Sequence, residues 1–277
     1  MTAPLRHAVL DSRALVAVDG PDWRRFLQGL LSNDVEALAP GEMRFAALLT
    51  PQGKFLFDLF VVASEDRCVL DVQAAQREAL IARLTMYRLR AKVEIAAREG
   101  TVAALWPGAG DFKGEGWAPD PRLPALGWRG IDAAPPAGAL AADESAYDAH
   151  RLALGVPDPA RDCVPDKTYP IEADFDLLRG IDFQKGCYVG QETTSRMKRR
   201  GAIKTRMLPI AFDGPPPPAG TEVLAGELRA GEVLSGRDGR AMALLRLDRI
   251  EGAALTADGR PVEAQAPDWM GDAVTRS

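Results

Sequence analysis

GIDFQKGCYVGQETTSRMKRRG, residues 180–201, is the most specific local pattern in the chain. Gly186 and Gly190 bracket a tight backbone path around Cys187, and Lys185 stands two residues before the thiol. A cation beside a cysteine favours the thiolate, which is the nucleophilic and metal-binding form. A small buried cysteine in a turn explains the same residues without a function, since free cysteines are usually buried and inert. Both interpretations of Cys187 are open at this point.

Upstream of this segment, the sequence mixes helix and hairpin patterns. An apolar face over residues 23–31 predicts a helix that starts after Gly20-Pro21-Asp22. The runs Phe45–Leu49 and Phe55–Val62 flank Thr50-Pro51-Gln52-Gly53, and this arrangement predicts a hairpin with a proline–glycine turn. A strand, a helix and another strand follow without a βαβ rhythm. The mixture predicts an α+β fold rather than a doubly wound sheet.

Composition divides the chain further. Residues 101–142 are rich in glycine and proline and hold three of the five tryptophans, which predicts a small, loop-rich subdomain. Gly214-Pro215-Pro216-Pro217-Pro218 is too rigid for a helix or a central strand. Asp238-Gly239 and Asp258-Gly259 are typical of two-residue hairpin turns. We therefore expect an α+β domain formed by residues 1–100 and 143–200, the middle subdomain at 101–142, and a C-terminal β barrel at 201–277.

Charge and cysteine usage limit the possible functions. The formal net charge of -5 argues against a generic nucleic-acid binder. The three cysteines form no CxxC pair, so reduced thiols are expected, with Cys68 buried in a strand and Cys163 exposed in a charged loop. The two histidines form no metal-ligand cluster with them. We find no signal peptide and no membrane-spanning stretch in the sequence, and we expect a soluble, cytoplasmic protein.

The segment KGCYVGQE, residues 185–192, resembles the KGCYxGQE signature of the YgfZ family, and its SRM and RRG continuation fits the same pattern. YgfZ proteins are relatives of glycine-cleavage aminomethyltransferase that bind folate and support iron–sulfur proteins. Further segments similar to family motifs are FLQGLLSNDV (26–35), TPQGK (50–54), DPR (120–122), LGWR (126–129) and YPIE (169–172). The resemblance covers most of the chain. It implies a ring of three domains around a central folate-binding channel, with a C-terminal β barrel.

Asp58 is a candidate ligand-binding residue because it interrupts the apolar run Phe55–Val62. Burying a carboxylate is costly unless it is paired, and a pterin edge offers a ring N–H and an amino group that a carboxylate accepts. From the residues alone, an edge-strand position facing solvent or a pair with Arg44 or Arg90 explains Asp58 as well. The resemblance implies a folate contact, because related aminomethyltransferases place a folate-binding aspartate at the matching position. We expect the surrounding channel to be lined by apolar residues.

The remaining site residues also follow from the resemblance. It implies a second folate contact at Glu172, further folate contacts at Lys185, Gln191 and Arg196, and a catalytic role for Cys187. From the residues alone, Glu172 is equally explained as an exposed side chain after Pro170.

The function that the resemblance implies is a tetrahydrofolate-binding accessory protein for iron–sulfur enzymes. Its partners would be a folate derivative and iron–sulfur proteins or their assembly machinery. A folate-dependent aminomethyltransferase is one alternative, although Cys187 stands where that enzyme usually has a non-thiol residue. The basic run over residues 196–206 suggests another, an RNA-associated module, but it lacks interleaved aromatic residues. A solvated surface explains this run as well, and we expect no direct nucleic-acid binding.

Overall fold

The computed structural model describes residues 4–107, 112–200, 203–237 and 239–274. The strands, in chain order, are β1 (Arg6–Val9), β2 (Arg13–Asp19), β3 (Met43–Leu49), β4 (Phe55–Ala63), β5 (Arg67–Gln73), β6 (Glu94–Arg98), β7 (Val102–Trp106), β8 (Trp117–Pro119), β9 (Trp128–Ile131), β10 (Leu140–Ala141), β11 (Thr205–Ala211), β12 (Glu222–Ala225), β13 (Leu228–Arg237), β14 (Arg240–Arg246), β15 (Leu255–Ala257) and β16 (Arg260–Ala264). The helices are α1 (Trp23–Gln28), α2 (Arg77–Arg88), α3 (Glu144–Ala153), α4 (Pro159–Asp162), α5 (Gln191–Arg200) and α6 (Leu247–Ile250). This mixture confirms the predicted α+β class.

The largest part of the core lies on one face of a five-stranded antiparallel sheet, which we call the central sheet, with the order β3-β4-β5-β2-β6. Its β3–β4 pair is the predicted hairpin. Along β2 and β5, alternate apolar residues such as Val16 and Leu70 point to the side occupied by α1 and α2, where they pack on Trp23, Leu27 and Leu80. The opposite face of the central sheet carries Asp58 and forms a wall of the cavity described below.

A second sheet, the side sheet, has the order β10-β1-β7-β9-β8. Strand β1 pairs antiparallel with β7 and parallel with β10, so the N-terminal strand shares a sheet with four strands from residues 102–141. This part of the chain holds more strand than its glycine and proline content suggested. Its strands are short: β7 and β10 pair with the distant β1, and β9 pairs with β7 and β8. The predicted domain boundaries stay a prediction.

The C-terminal residues form a closed six-stranded barrel with the order β11-β14-β13-β12-β15-β16. This arrangement confirms the predicted C-terminal β barrel. Asp258 and Gly259 join β15 to β16 with φ values of 52° and 70°, which are the left-handed values that a type I′ hairpin turn requires. Gly239 also has a positive φ, of 74°, but Asp238 in the other predicted turn lies outside the described residues.

Arg206 of β11 connects the barrel to the segment before the signature. Its side chain is 2% exposed, and it donates to Asp174 at 2.8 Å and to Asp176 at 3.0 Å. A buried guanidinium with two carboxylate partners is costly to break, since removing one partner leaves uncompensated buried charge. The barrel is therefore fixed against residues 171–180, which lead directly into the signature.

Candidate functional site

A cavity of about 360 Å³, which we call the Asp58 cavity, opens on the face of the central sheet that is turned away from α1 and α2. Its walls come from β2 and β4, from β9 of the side sheet, and from α3 and α4. Small-molecule sites usually measure about 300–1,000 Å³, so the volume is sufficient for part of a drug-sized ligand. Both charged side chains and apolar residues such as Leu10 and Phe60 line the cavity, and the expected apolar folate channel stays a prediction.

Asp58 lies in this cavity with one carboxylate oxygen paired and the other unpaired. The residue is 2% exposed, and its Oδ2 accepts a hydrogen bond from Nη1 of Arg13 at 2.8 Å. Its buried Oδ1 has no partner among the described residues. The partner is thus Arg13 rather than Arg44 or Arg90. A buried acceptor without a partner is uncommon in native proteins and is a feature that a bound ligand explains.

Asp71 holds Arg13 in place from the next strand. Its Oδ1 accepts from Nε of Arg13 at 2.6 Å, its backbone oxygen accepts from Nη2 of Arg13 at 2.9 Å, and its Oδ2 accepts from Nε of Arg129. Burial alone would raise the pKa of Asp71, but Arg129 and Arg13 outweigh burial and hold the pKa below its usual value. Asp71 is therefore an ionised bridge between two arginines, and Arg13 in turn orients Asp58.

The ring of Phe60 lies beneath three guanidinium groups in the same wall. The central carbons of Arg129, Arg122 and Arg13 lie 4.0, 5.0 and 5.5 Å from the ring centroid. These distances are within the range for cation–π attraction. Arg122 is fixed further by two hydrogen bonds to Asp120, at 2.7 and 3.0 Å. Each of the three arginines in this wall of the cavity is therefore held by a carboxylate partner.

Ion pairs between α3 and α4 form the rim on the barrel side. Arg161 of α4 donates to Asp148 of α3 at 3.1 Å, and Arg151 of α3 donates to Asp162 of α4 at 3.4 Å. Arg151 also donates to the hydroxyl of Ser235 in β13, at 3.1 Å. This hydrogen bond joins the rim to the barrel, so the central sheet, the side sheet and the barrel all bound the cavity.

Lys185 of the signature segment has a different role in the structure from the one that the sequence suggested. The Nζ of Lys185 donates to the backbone oxygens of Gln28, Leu31 and Asn33 at 2.9, 2.7 and 2.8 Å. Those acceptors belong to the end of α1 and the turn after it, where helix carbonyls lack partners. Burial lowers the pKa of Lys185 to about 8. Because all three ammonium protons are used there, the prediction that Lys185 activates Cys187 has no support in this geometry.

The three cysteines differ in exposure. Cys187 is exposed, whereas Cys68 and Cys163 are buried. Burial raises the pKa of both buried thiols, which disfavours their thiolate forms. The expectation of an exposed Cys163 is wrong, because this residue packs into a core with Phe55 and Phe175. Cys187 is thus the accessible thiol of the three.

Gly190 accounts for the close packing of the signature loop on the β3–β4 hairpin. Its φ is +84°, and a Cβ placed on it would lie 2.6 Å from the backbone oxygen of Thr50. A Cβ on Gly53 would likewise lie 2.9 Å from the backbone oxygen of Gly190. The tight backbone path predicted here is present at Gly190, whereas Gly186 has open space around it.

The other residues that the resemblance suggested lie outside the Asp58 cavity. Glu172 accepts a hydrogen bond from the backbone N–H of Tyr169 at 2.9 Å, and burial raises its pKa. Gln191 begins α5 and Arg196 is exposed on that helix. None of Glu172, Lys185, Gln191, Arg196 and Cys187 is among the described residues that line the Asp58 cavity. Their folate and catalytic roles stay predictions.

Sequence reasoning missed the arginines of the cavity. Arg13 and Arg129 each lie in a strand whose other residues are mostly apolar, and so does Asp71 in the run RCVLDVQ. A charge within an apolar strand was the signal that selected Asp58. The same criterion would have selected Arg13, Arg129 and Asp71. In the structure, Asp71 forms an ion pair with each of the two arginines.

The fold is that of the glycine-cleavage aminomethyltransferases. The structure superimposes on the glycine cleavage system aminomethyltransferase T from Bartonella henselae with a TM-score of 0.77, covering 96% of this chain and 86% of that one. Sequence identity is 20%, so this likeness concerns the fold alone. It includes the three-domain arrangement with the C-terminal barrel.

Sequence comparisons give the family. Residues 204–272 match the model of the CAF17 C-terminal β-barrel domain. The human iron–sulfur cluster assembly factor IBA57 is 32% identical over 94% of this chain and 84% of its own length. The IBA57 homologue of Mycosarcoma maydis is 35% identical over 76% of this chain, which spans 59% of that longer protein. This chain belongs to the IBA57 family.

Two expectations from the sequence need correction against these comparisons. The family is IBA57, a close relative of YgfZ, rather than YgfZ itself. The expected cytoplasmic location is contradicted, because the human, mouse and Mycosarcoma maydis relatives are mitochondrial proteins. No helix in the described part of the chain is both long and apolar enough to cross a membrane.

Proposed function

We propose that this chain is an accessory factor in the maturation of iron–sulfur proteins and that it acts with the iron–sulfur assembly machinery. The observation that carries this proposal is the match along nearly the whole chain to the human iron–sulfur cluster assembly factor IBA57. The likeness to an aminomethyltransferase at 20% identity supports the fold and not that enzyme's reaction. The accessory role is therefore the better supported of the two.

We further propose that the Asp58 cavity binds a reduced folate. The unpaired, buried Oδ1 of Asp58 supports this, because a pterin edge offers the N–H groups that such an acceptor lacks. Arg122 and Arg129 lie in the same wall and supply donors suited to the pterin carbonyl. Arg161 and Arg237 lie at the α3–α4 side of the cavity, where cations favour the anionic glutamate tail.

The protein's own residues would act on such a ligand by orientation. Arg13 fixes one oxygen of Asp58, and Asp71 fixes Arg13, so the free oxygen is held toward the cavity without further reorganisation. The Oδ1 of Asp58, which has no partner among the described residues, would accept hydrogen bonds from such a ligand. A bound reduced folate would supply a carrier for one-carbon units.

Cys187 is the candidate reactive group of the proposed factor. Its thiol is exposed, and thiolates both exchange with metal-bound thiolates and bind iron directly. An exposed thiol suits contact with a partner protein better than chemistry inside the Asp58 cavity, whose lining does not include Cys187 among the described residues.

Complementation tests the accessory role. Cells whose own IBA57-family protein has been deleted should regain the activity of their [4Fe–4S] enzymes when they express this chain. Cys187→Ser should fail to restore that activity although the protein accumulates normally. Cys163→Ser is the matched control and should restore it, because the buried thiol has no proposed role. If the wild-type chain accumulates and restores no activity, the proposed function is wrong.

A further inference from the structure

Helix α2 has apolar residues on two opposite sides. On the inner side, Leu80 and Leu84 are fully buried in the core that α2 forms with the central sheet. The outer side carries a second row of apolar residues, which we call the outer stripe. All four of its members are exposed, and the last is the residue at which α2 ends: Ala79, Ala82, Met86 and Leu89. The proposed function uses no residue of this stripe.

The spacing of the outer stripe aligns its side chains along one face of the helix. Successive members lie three, four and three residues apart, which is the spacing that forms the seam of a coiled coil. Met86 is 68% exposed and Leu89 is 88% exposed. A surface helix normally turns polar residues outward, whereas a helix that is apolar all round is normally buried. The core of the protein covers one side of α2, and the outer stripe is open to a partner.

The backbone at Leu89 is a second, independent sign of a partner. Its φ is 43° and its ψ is -104°, in the positive-φ region that favours glycine. Glycine is the usual residue at helix ends for this reason. A leucine here is held in a strained conformation while its side chain is exposed, so burial within the same copy does not compensate for the strain. Burial of this side chain against another molecule would compensate for it.

Side-chain size and charge both change along α2. The small members of the outer stripe lie toward the amino-terminal end of the helix, and the large members lie toward its carboxyl-terminal end. Glu78 is the single acidic residue of α2 and lies in its first turn. Cations lie toward the other end, at Arg83 and Arg90, and Asp19 and Glu94 share a surface depression with Arg90. Size, and the charges of the helix itself, therefore distinguish its two ends.

Two copies of such a helix fit together when they lie antiparallel. Met86 of one copy then lies over Ala82 of the other, and Leu89 lies over Ala79, so that large side chains fill the space above small ones. A twofold axis between the helices repeats both contacts, which is the isologous arrangement of most dimers. A parallel pair would instead put methionine on methionine and leave a gap between the alanines. The outer stripe is therefore complementary to an antiparallel second copy of itself.

We propose that the outer stripe is the interface of a homodimer of this chain, with the two α2 helices antiparallel about a twofold axis. The helix has 12 residues and is about 18 Å long, so the interface is small for a specific complex and the dissociation constant is in the micromolar range. Because α2 covers the face of the central sheet opposite to the Asp58 cavity, both copies keep that cavity open. The dimer does not depend on folate binding or on the role in iron–sulfur maturation.

Sedimentation equilibrium of the full chain, from about 1 to about 300 μM, tests the proposal. The mass should rise with concentration from that of one chain, 29.8 kDa, toward twice that value. Met86→Lys should raise the dissociation constant about tenfold or more, because it places an ammonium group between the two helices. Leu228→Lys is the matched control and should dimerise like wild type, since Leu228 is 63% exposed but lies in the barrel. Leu89→Gly should fold normally, because glycine suits the positive φ, and should also weaken the dimer.

Disulfide trapping tests the orientation of the two helices. In a Cys187→Ser background, which removes the exposed native thiol, a mixture of Ala79→Cys and Leu89→Cys should form a disulfide-linked heterodimer on mild oxidation. Ala79→Cys alone should stay reduced, because antiparallel packing puts the two copies of residue 79 about 15 Å apart along the helix axis. The proposal is overturned if the wild-type chain stays monomeric at the highest concentration, or if Met86→Lys or Leu89→Gly, shown to be folded by thermal unfolding, dimerises like wild type. It is also overturned if Ala79→Cys alone is linked as readily as the mixture.

Discussion

Replacing Asp58 by asparagine separates the ligand-binding role of this carboxylate from its structural role. Asparagine keeps the shape, but one acceptor oxygen becomes an NH₂ donor that faces the donors of a pterin. A mismatched buried polar pair costs about 1–3 kcal/mol. Since each 1.4 kcal/mol is tenfold in affinity, the dissociation constant should rise by about 5- to 140-fold. Arg13 keeps its hydrogen bonds to Asp71, at 2.6 and 2.9 Å, so the variant should fold.

Calorimetric titration with 5-formyltetrahydrofolate, a stable reduced folate, is the suitable assay. Glu172→Gln is the matched control, because Glu172 is also a partly buried carboxylate but does not line the Asp58 cavity. The structure predicts that Glu172→Gln keeps wild-type affinity. Equal affinities for Asp58→Asn and wild type would remove Asp58 from the site. A loss confined to Glu172→Gln would show that folate binds elsewhere.

Three further predictions concern stability and reactivity. Asp71→Asn should lower the free energy of unfolding, measured in urea, by about 3–5 kcal/mol, since it leaves two buried arginines without their shared anion. Asp248→Asn, which changes a carboxylate in an exposed ion pair, is the control. If Asp71→Asn lowers the free energy of unfolding no more than this control, Asp71 does not bridge the two arginines. In native protein treated with iodoacetamide, Cys187 should be alkylated first and the two buried cysteines only on unfolding; simultaneous labelling would contradict the burial. Burial raises the pKa of Glu172 in the folded state, so ionisation of this carboxyl opposes folding above about pH 4.5. The free energy of unfolding of Glu172→Gln should therefore exceed that of wild type at pH 7, and the difference should disappear as the pH falls to 4.

Local sequence patterns predicted the elements of this fold better than the contacts among them. The β3–β4 hairpin and the Asp258-Gly259 turn follow from residues next to each other, and both form as predicted. The partner of Asp58 did not follow, because Arg13 is 45 residues away and meets it only through the order of β4, β5 and β2. A search limited to nearby arginines therefore selected the wrong ones.

The signature segment shows a similar limit. Adjacency suggested that Lys185 acts on Cys187, but its ammonium reaches back 152 to 157 residues to the end of α1. Cys163 looked exposed because its neighbours are charged, yet Asp162 pairs with Arg151 of α3 and the thiol packs into a core cluster. In both cases the side chain's direction depends on tertiary packing, which the local sequence does not contain.

Cluster content measured directly in a client enzyme is the closest test of the central claim, that this chain supports the maturation of iron–sulfur proteins. Aconitase, a [4Fe–4S] enzyme, would be purified from cells that lack their own IBA57-family protein, with and without this chain, and its iron and sulfide would be measured per polypeptide. We predict nearly full clusters in cells that express the chain and depleted clusters in cells that do not, with equal amounts of aconitase polypeptide. Equally depleted aconitase in both, with the chain present and folded, would contradict the account.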